Sequence, residues 1–346
     1  MSRGSSSYRA AYEKRRRRHT AIRLFLRVLL VFLVLAGSAA FIFFGKHRQN
    51  GKLLAAYVHE QTVQDVHLPD GMKPKAFAED LAVITNDRYS DPNVYSDEAL
   101  LIQADSGKVL FSDSALTEMA NASTTKLVTF LCALKYGNMD DMVTVTDDAI
   151  SPLVGTNSSS AHLAVGDRIR FSDLMYAMML PSGNDAANVV ALHMAGNIPD
   201  FCSMMDQVCF ELGATHSHFK SPHGLDADGH YSTAYDLYLI TRELMKYPAF
   251  FDITGTASYT AKYTNDAGET VSQTWLNTNE YFHGMPLPAG IRVVGGKTGS
   301  EENAGYCLVC VTMDQQDRRY VSVVLGAPNN NARYGITTNL LSKITN

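Results

Sequence analysis

Tryptophan occurs once and cysteine five times in this chain of 346 residues, and only 19% of its positions are charged. With 46% hydrophobic residues and no low-complexity tract, intrinsic disorder is excluded for most of the chain, and there is ample material for a core. A basic stripe is also missing. Residues 1–27 hold nine Lys or Arg against one acid, Glu13, a balance of +8; the other 319 residues carry 21 basic and 34 acidic groups, a balance of −13. An acidic body excludes a protein that tracks a phosphate backbone, so no nucleic-acid partner is expected. The cysteines form no framework either. Cys202 and Cys209 lie seven apart in a helical pattern, about 10 Å along its axis and beyond disulfide reach. Cys307 and Cys310 sit in a strand pattern where residues three apart face opposite sides, and Cys132 falls in an apolar helix. All five read as small buried residues; no disulfide set, metal site or cofactor is indicated.

What is present begins at the N-terminus. Arg15-Arg16-Arg17-Arg18 precedes an uncharged run of 17 residues, Val28 to Phe44, at the short end of what spans a bilayer. The basic excess ahead of it places the N-terminus in the cytoplasm and the body outside. The alternative is a cleaved signal peptide, with Ser38-Ala39-Ala40 as its site, but Phe41-Ile42-Phe43-Phe44 continues the apolar run beyond. The expected organisation is a cytoplasmic basic tail over 1–23, a transmembrane anchor over 24–44, a stalk over 45–97 and a catalytic body over 98–346.

In that body the pattern tightens. Residues 99–104 and 108–111 around Asp105-Ser106-Gly107 predict a hairpin. Leu127, Phe130, Leu131 and Leu134 repeat at helical spacing within 123–136. Ser172 is placed to cap a helix through Leu180, broken at Pro181-Ser182-Gly183 and resumed over 185–195. Further helices fit 200–212, 233–247 and 333–344, and strands fit 291–296, 305–313 and 320–327. Strands at both ends with helices between predict an α/β (α+β) fold, an antiparallel sheet closed by both chain ends with a helical insert.

Three short motifs carry chemistry. Ser123-Thr124-Thr125-Lys126 puts an amine three residues after a hydroxyl at a helix start, on one face and beside free backbone N–H groups. Alone it is weak, since Ser217-His218-Phe219-Lys220 repeats the spacing in a polar segment without helical periodicity. Ser182-Gly183-Asn184 presents a hydroxyl and a carboxamide from a turn that interrupts a helix. Lys297-Thr298-Gly299 follows a strand whose Gly295-Gly296 permits close approach. The order S-x-x-K, S-x-N, K-T-G is that of class A β-lactamases and penicillin-binding proteins.

Over about 98–345 the chain closely resembles the low-molecular-mass penicillin-binding proteins that act as D-alanyl-D-alanine carboxypeptidases. Ser221-Pro222-His223-Gly224-Leu225-Asp226 and Ala304-Gly305-Tyr306 share in that likeness. Asn121 departs from the family's proline before Ala-Ser, and Ser300 from its aromatic or His after K-T-G. The resemblance implies a five-stranded antiparallel sheet with an all-helical subdomain, a stem peptide ending in D-Ala-D-Ala as substrate, and β-lactams as covalent inhibitors. Ser123 is then the nucleophile, Lys126 its base and Ser182 a proton relay. Asn184, Lys297, Thr298, Gly299 and Ser300 bind substrate, with backbone N–H groups of Ser123 and Ser300 for the oxyanion. Burial and the second cation, Lys297, are both expected to depress the Lys126 pKa. Two other readings stay open. A class A β-lactamase would need a deacylating glutamate in Glu-x-x-Leu-Asn, and no glutamate between Ser182 and Lys297 fits that pattern. A non-catalytic β-lactam sensor or wall-assembly module would not need all three motifs intact.

Overall fold

A computed structural model describes residues 82–344. Among these, no helix is long and apolar enough to cross a membrane; the basic tail, the anchor expected over 24–44 and most of the stalk lie outside the described residues. In chain order the elements are β1 (Glu98–Gln103), β2 (Lys108–Asp113), α1 (Lys126–Tyr136), β3 (Met142–Thr144), α2 (Asp147–Ile150), β4 (Arg168–Arg170), α3 (Phe171–Met179), α4 (Asn184–Ala195), α5 (Ile198–Leu212), α6 (Ala234–Leu244), α7 (Pro248–Thr254), β5 (Ser258–Thr264), β6 (Thr270–Leu276), β7 (Arg292–Glu301), β8 (Gly305–Met313), β9 (Arg319–Ala327) and α8 (Asn330–Ser342).

The main sheet runs β2-β1-β9-β8-β7, antiparallel throughout, so β1 from one end of the body pairs with β9 from the other. Period-two alternation splits its side chains between two cores. Leu100, Ile102, Val309, Val321 and Val323 face the helical insert, whereas Ala99, Leu101, Phe111, Tyr320 and Val324 pack under Ile336, Leu340 and Leu341 of α8. All five cysteines are free and buried. A smaller sheet, β3-β4-β5-β6, was not part of the expected layout. Two local expectations change. Ser172 lies inside α3 rather than capping it; the flanking position is Arg170, in extended backbone with no side-chain cap. And Lys297-Thr298-Gly299-Ser300 does not follow a strand but belongs to one, paired with Val309, Leu308, Cys307 and Tyr306 of β8.

Residues 82–97, expected as the end of the stalk, are packed onto this body. Asp87 accepts hydrogen bonds from Ser112 Oγ and from the N–H of Ala115 (2.9 Å), and Tyr89 N–H donates to Ser112 O (3.0 Å). Beside them Glu98, 1% exposed on β1, accepts from the Ala234 N–H at the start of α6 (2.7 Å) while its other oxygen has no partner. Burial, reinforced by Asp87, Asp97 and Asp236, pushes its pKa up to about 9. The folded state therefore keeps a proton that the unfolded chain releases at ordinary carboxyl pKa, so stability falls as pH rises between the two values and levels off above about 9. Glu98→Gln, with no proton to hold, is expected to raise Tm more at pH near 8 than near 5. Thermal melts at the two pH values that move in parallel would rule this out.

Candidate active site

Ser123 sits in a tight turn. Ala122–Thr125 forms a single 3₁₀ turn that runs directly into α1, with Ala122 in left-handed backbone at φ +48°. Such backbone costs about 1–3 kcal/mol and needs surrounding bonds to hold it. Asn121 supplies some of them. Its Nδ2 donates to Thr124 Oγ1 and Thr125 Oγ1 (3.1 Å each), and Thr124 Oγ1 donates back to Asn121 O (2.6 Å). The residue that departs from the family pattern thus ties together both threonines of the motif. From below, the loop at 221–226 closes on the turn. Gly224 has φ +89°, and a Cβ there would lie 2.0 Å from Ala122 O.

Lys126, the first residue of α1, is fully buried. Its Nζ lies 2.8 Å from Ser123 Oγ, 2.7 Å from Asn184 Oδ1 and 2.8 Å from His223 O. Asn184 Oδ1 and His223 O can only accept. A neutral amine has two hydrogens and one lone pair, so those two oxygens take the hydrogens and the lone pair is left for the Ser123 hydroxyl proton. Burial brings the Lys126 pKa down to about 7, partly offset by Glu301 and Asp185. Lys297 is not among the charges acting on it, contrary to expectation. The influence runs the other way: burial, then the Lys126 and Arg333 charges, put Lys297 well below an ordinary lysine. Of two neighbouring amines, the one that loses its proton first is neutral by the time the other titrates, and exerts no field on it.

Ser182 stands between α3 and α4 at φ +65°, buried, its Oγ without a hydrogen-bond partner. Asn184 opens α4 and brings this turn to Lys126. Asp185, which the motif did not single out, clamps the turn to the preceding loop by accepting from Ser160 Oγ (2.7 Å) and the N–H groups of Ala161 (2.8 Å), Leu163 (3.1 Å) and Ala186 (2.9 Å).

The third wall is β7. Gly296 has φ +144°, and a Cβ there would lie 2.1 Å from Val309 O. Lys297 is buried with its Nζ donating to Thr298 O (2.9 Å), Thr298 Oγ1 lies 2.5 Å from Thr278 Oγ1, and the Ser300 side chain is exposed. Gly299 meets the Ser123 turn: a Cβ there would be 3.0 Å from Ala122 Cβ and from Ser123 N. Its bare Cα leaves the Ser123 N–H open. Gly299→Ala, which needs no unusual φ, is expected to slow acylation of Ser123 at least tenfold by crowding that donor while leaving Tm within a few degrees. An unchanged acylation rate in the alanine variant would refute it. Arg333 of α8 reaches the same strand from behind, donating to Gly299 O (3.1 Å) and Cys307 O (3.2 Å). No local pattern flags this role of Arg333, because the two carbonyls it reaches lie in distant strands. Among the described residues, no group of three His, Cys, Asp or Glu side chains could hold a metal ion.

Comparison with known proteins agrees with the fold and the family resemblance. The sequence profile of the family described as D-alanyl-D-alanine carboxypeptidase matches residues 85–329. The chain belongs to that family. The D-alanyl-D-alanine carboxypeptidase DacF of Bacillus subtilis is 32% identical over 249 residues, 70% of this chain and 60% of its own length. The D-alanyl-D-alanine carboxypeptidase of Streptomyces strain K15 is 32% identical over 245 residues, 68% of this chain and 82% of its own. This family member therefore spans less than two thirds of the Bacillus relative. The crystal structure of the Streptomyces K15 DD-transpeptidase superposes with a TM-score of 0.69 at 30% identity, covering 74% of this chain and 98% of that one. Penicillin-binding protein 5 from Haemophilus influenzae gives 0.64 at 29% identity, covering 73% and 71%.

Proposed function

We propose that this family member is a serine-type D-Ala-D-Ala carboxypeptidase that removes the terminal D-alanine from peptidoglycan pentapeptides through an acyl-enzyme on Ser123, and that β-lactams acylate the same hydroxyl. The observation that carries this is Lys126, whose lone pair is left for Ser123 Oγ by two acceptor-only neighbours and whose amine is half neutral at about pH 7. Neutral Lys126 takes the hydroxyl proton as Ser123 Oγ attacks the carbonyl carbon between the two D-alanines. The Ser123 and Ser300 N–H groups stabilise the oxyanion, with Gly299 leaving room for it. Ser182, whose Oγ is otherwise unpartnered, passes the proton to the leaving amine. Lys297 and Thr298 hold the terminal carboxylate, and Asn184 the peptide. Water then attacks the ester and frees Ser123.

One relative matched over nearly its whole length is named a DD-transpeptidase, which favours a second acceptor: an amine in place of water would join two stem peptides. The apolar run at 28–44 with its basic flank supports a single membrane anchor with the catalytic body outside the cytoplasm. The test is D-alanine release from a D-Ala-D-Ala-terminated pentapeptide, with and without an added amine. Release that vanishes in Ser123→Ala is expected; none from the wild-type chain would sink the proposal, and a cross-linked product would favour the second acceptor.

A further inference from the structure

The Thr125 hydroxyl, one residue before the base, belongs to a network the reaction above does not use. It lies 2.8 Å from His230 Nε2, a contact between residues 105 apart in sequence. His230 Nδ1 accepts the Lys220 N–H (3.1 Å), so that nitrogen carries no hydrogen, and a neutral ring must carry it on Nε2. His230 therefore donates to Thr125 Oγ1, which also accepts from Asn121 Nδ2 (3.1 Å). The ring is 5% exposed, edge-on to Phe219 with centroids 5.5 Å apart. Burial holds its pKa down at about 4, so it stays neutral wherever Lys126 can act as a base.

His230 also closes a loop. His218 and Tyr231 exchange two backbone hydrogen bonds (2.9 and 3.0 Å), pinching residues 218–231 into one unit. That unit gives His223 O to Lys126 (2.8 Å), Pro222 O to Thr129 Oγ1 (2.6 Å) and the Gly224 backbone against Ala122. A Cβ on Gly224 would also lie 2.6 Å from Thr125 Oγ1, so loop and turn have no slack between them. Of the second S-x-x-K match, Ser217 borders this unit and Lys220 lies within it. Ser217 Oγ donates to Asp236 (2.7 Å) and Lys220 contributes its backbone N–H to His230.

We propose that His230 is a positioning residue for acyl transfer: as a neutral, Nε2-protonated imidazole it pins the Thr125 hydroxyl, and through it the turn and loop that aim Ser123 Oγ at the Lys126 lone pair. This rests on the D,D-carboxypeptidase reading, because it needs Ser123 to be the acylated group. Losing one buried hydrogen bond and leaving its partner unsatisfied corresponds to about ten- to a hundredfold in rate if the whole effect falls on alignment.

The test follows acylation of the full-length chain by a fluorescent penicillin at saturating and limiting concentrations. His230→Ala is expected to lose about ten- to a hundredfold in the rate at saturation, with half-saturation moving less than about threefold. His230→Gln, whose amide can donate from the Nε2 position, should recover most of the rate; His230→Asn, whose amide falls short of Thr125, should not. Thr125→Val removes the acceptor and should match His230→Ala, and the double variant should be no slower than either single one. A wild-type rate in His230→Ala, a loss confined to half-saturation, or single effects that multiply in the double variant would each overturn the role. Should His230→Ala fail to fold, equal rates in the Gln and Asn variants overturn it instead. Absence of acylation in the wild-type chain overturns the functional reading and this inference with it, whereas normal wild-type acylation with unaffected variants overturns only the role of His230.

Discussion

Lys126→Ala is expected to stop acylation of Ser123 by both a D-Ala-D-Ala peptide and penicillin, even at saturating concentrations. A positioned general base contributes about 10²–10⁴-fold, and loss within a coupled serine–lysine unit can exceed that. The size follows from the geometry. In the variant the Ser123 hydroxyl loses the one basic lone pair within reach, while Asn184 Oδ1 and His223 O lose their donor inside a buried site. The wild-type rate should fall tenfold per pH unit below about 7, because the base must shed a proton that burial has loosened but not removed. Activity therefore decreases as pH falls through that value. Lys126→Arg should be as inactive as the alanine variant, since guanidinium keeps its proton throughout. The measurement is the penicillin acylation rate between about pH 5 and 9 for the wild type and both variants. A residual acylation within tenfold of wild type, or an acid limb that survives in Lys126→Ala, would assign the base elsewhere.

Much of this site is legible in the sequence because its chemistry lies within short windows. Three residues on a helix face are enough to place Lys126 beside Ser123, and a broken helical pattern is enough to put Ser182 in a turn. The hairpin at β1–β2 and the apolar runs of β8 and β9 are equally local, since alternation and a turn signal identify each. What escapes is whatever depends on distant partners. Thr125 meets His230 across 105 residues and Lys126 meets His223 across 97; nothing near either end signals the contact. The strand carrying Lys297 is truncated in a sequence reading because Gly295, Gly296 and Gly299 lower its strand propensity, whereas pairing to β8 carries it on to Glu301. The hairpin of β5 and β6 was within reach. Ala261, Tyr263 and Trp275 alternate with exposed residues around the Asn265–Gly268 turn, a period-two signal diluted by the Thr and Ser between them.

Lys297→Ala should fail differently from Lys126→Ala. Its ammonium is proposed to meet the terminal carboxylate of the substrate, and in the free protein that charge is disfavoured by burial and by the cations of Lys126 and Arg333. A bound carboxylate reverses the balance, because an opposite charge at contact favours the protonated amine. Binding of a carboxylate substrate is therefore expected to take up a proton, detectable as a heat that changes between buffers of different ionisation enthalpy. An amide or ester analogue should take up none, and Lys297→Ala should abolish the uptake. The variant should weaken carboxylate substrates about ten- to a hundredfold more than the amide analogue, the range for a charge-assisted hydrogen bond removed from a buried site. The acid limb near pH 7 should stay where it is, because burial rather than Lys297 sets the Lys126 pKa. If Lys297 were only a buried structural residue of β7, its loss would lower Tm and slow both substrates alike. Equal losses for carboxylate and amide, or a proton uptake that persists in the variant, would move the carboxylate anchor to another group, and Arg333 behind Gly299 would be the next to replace.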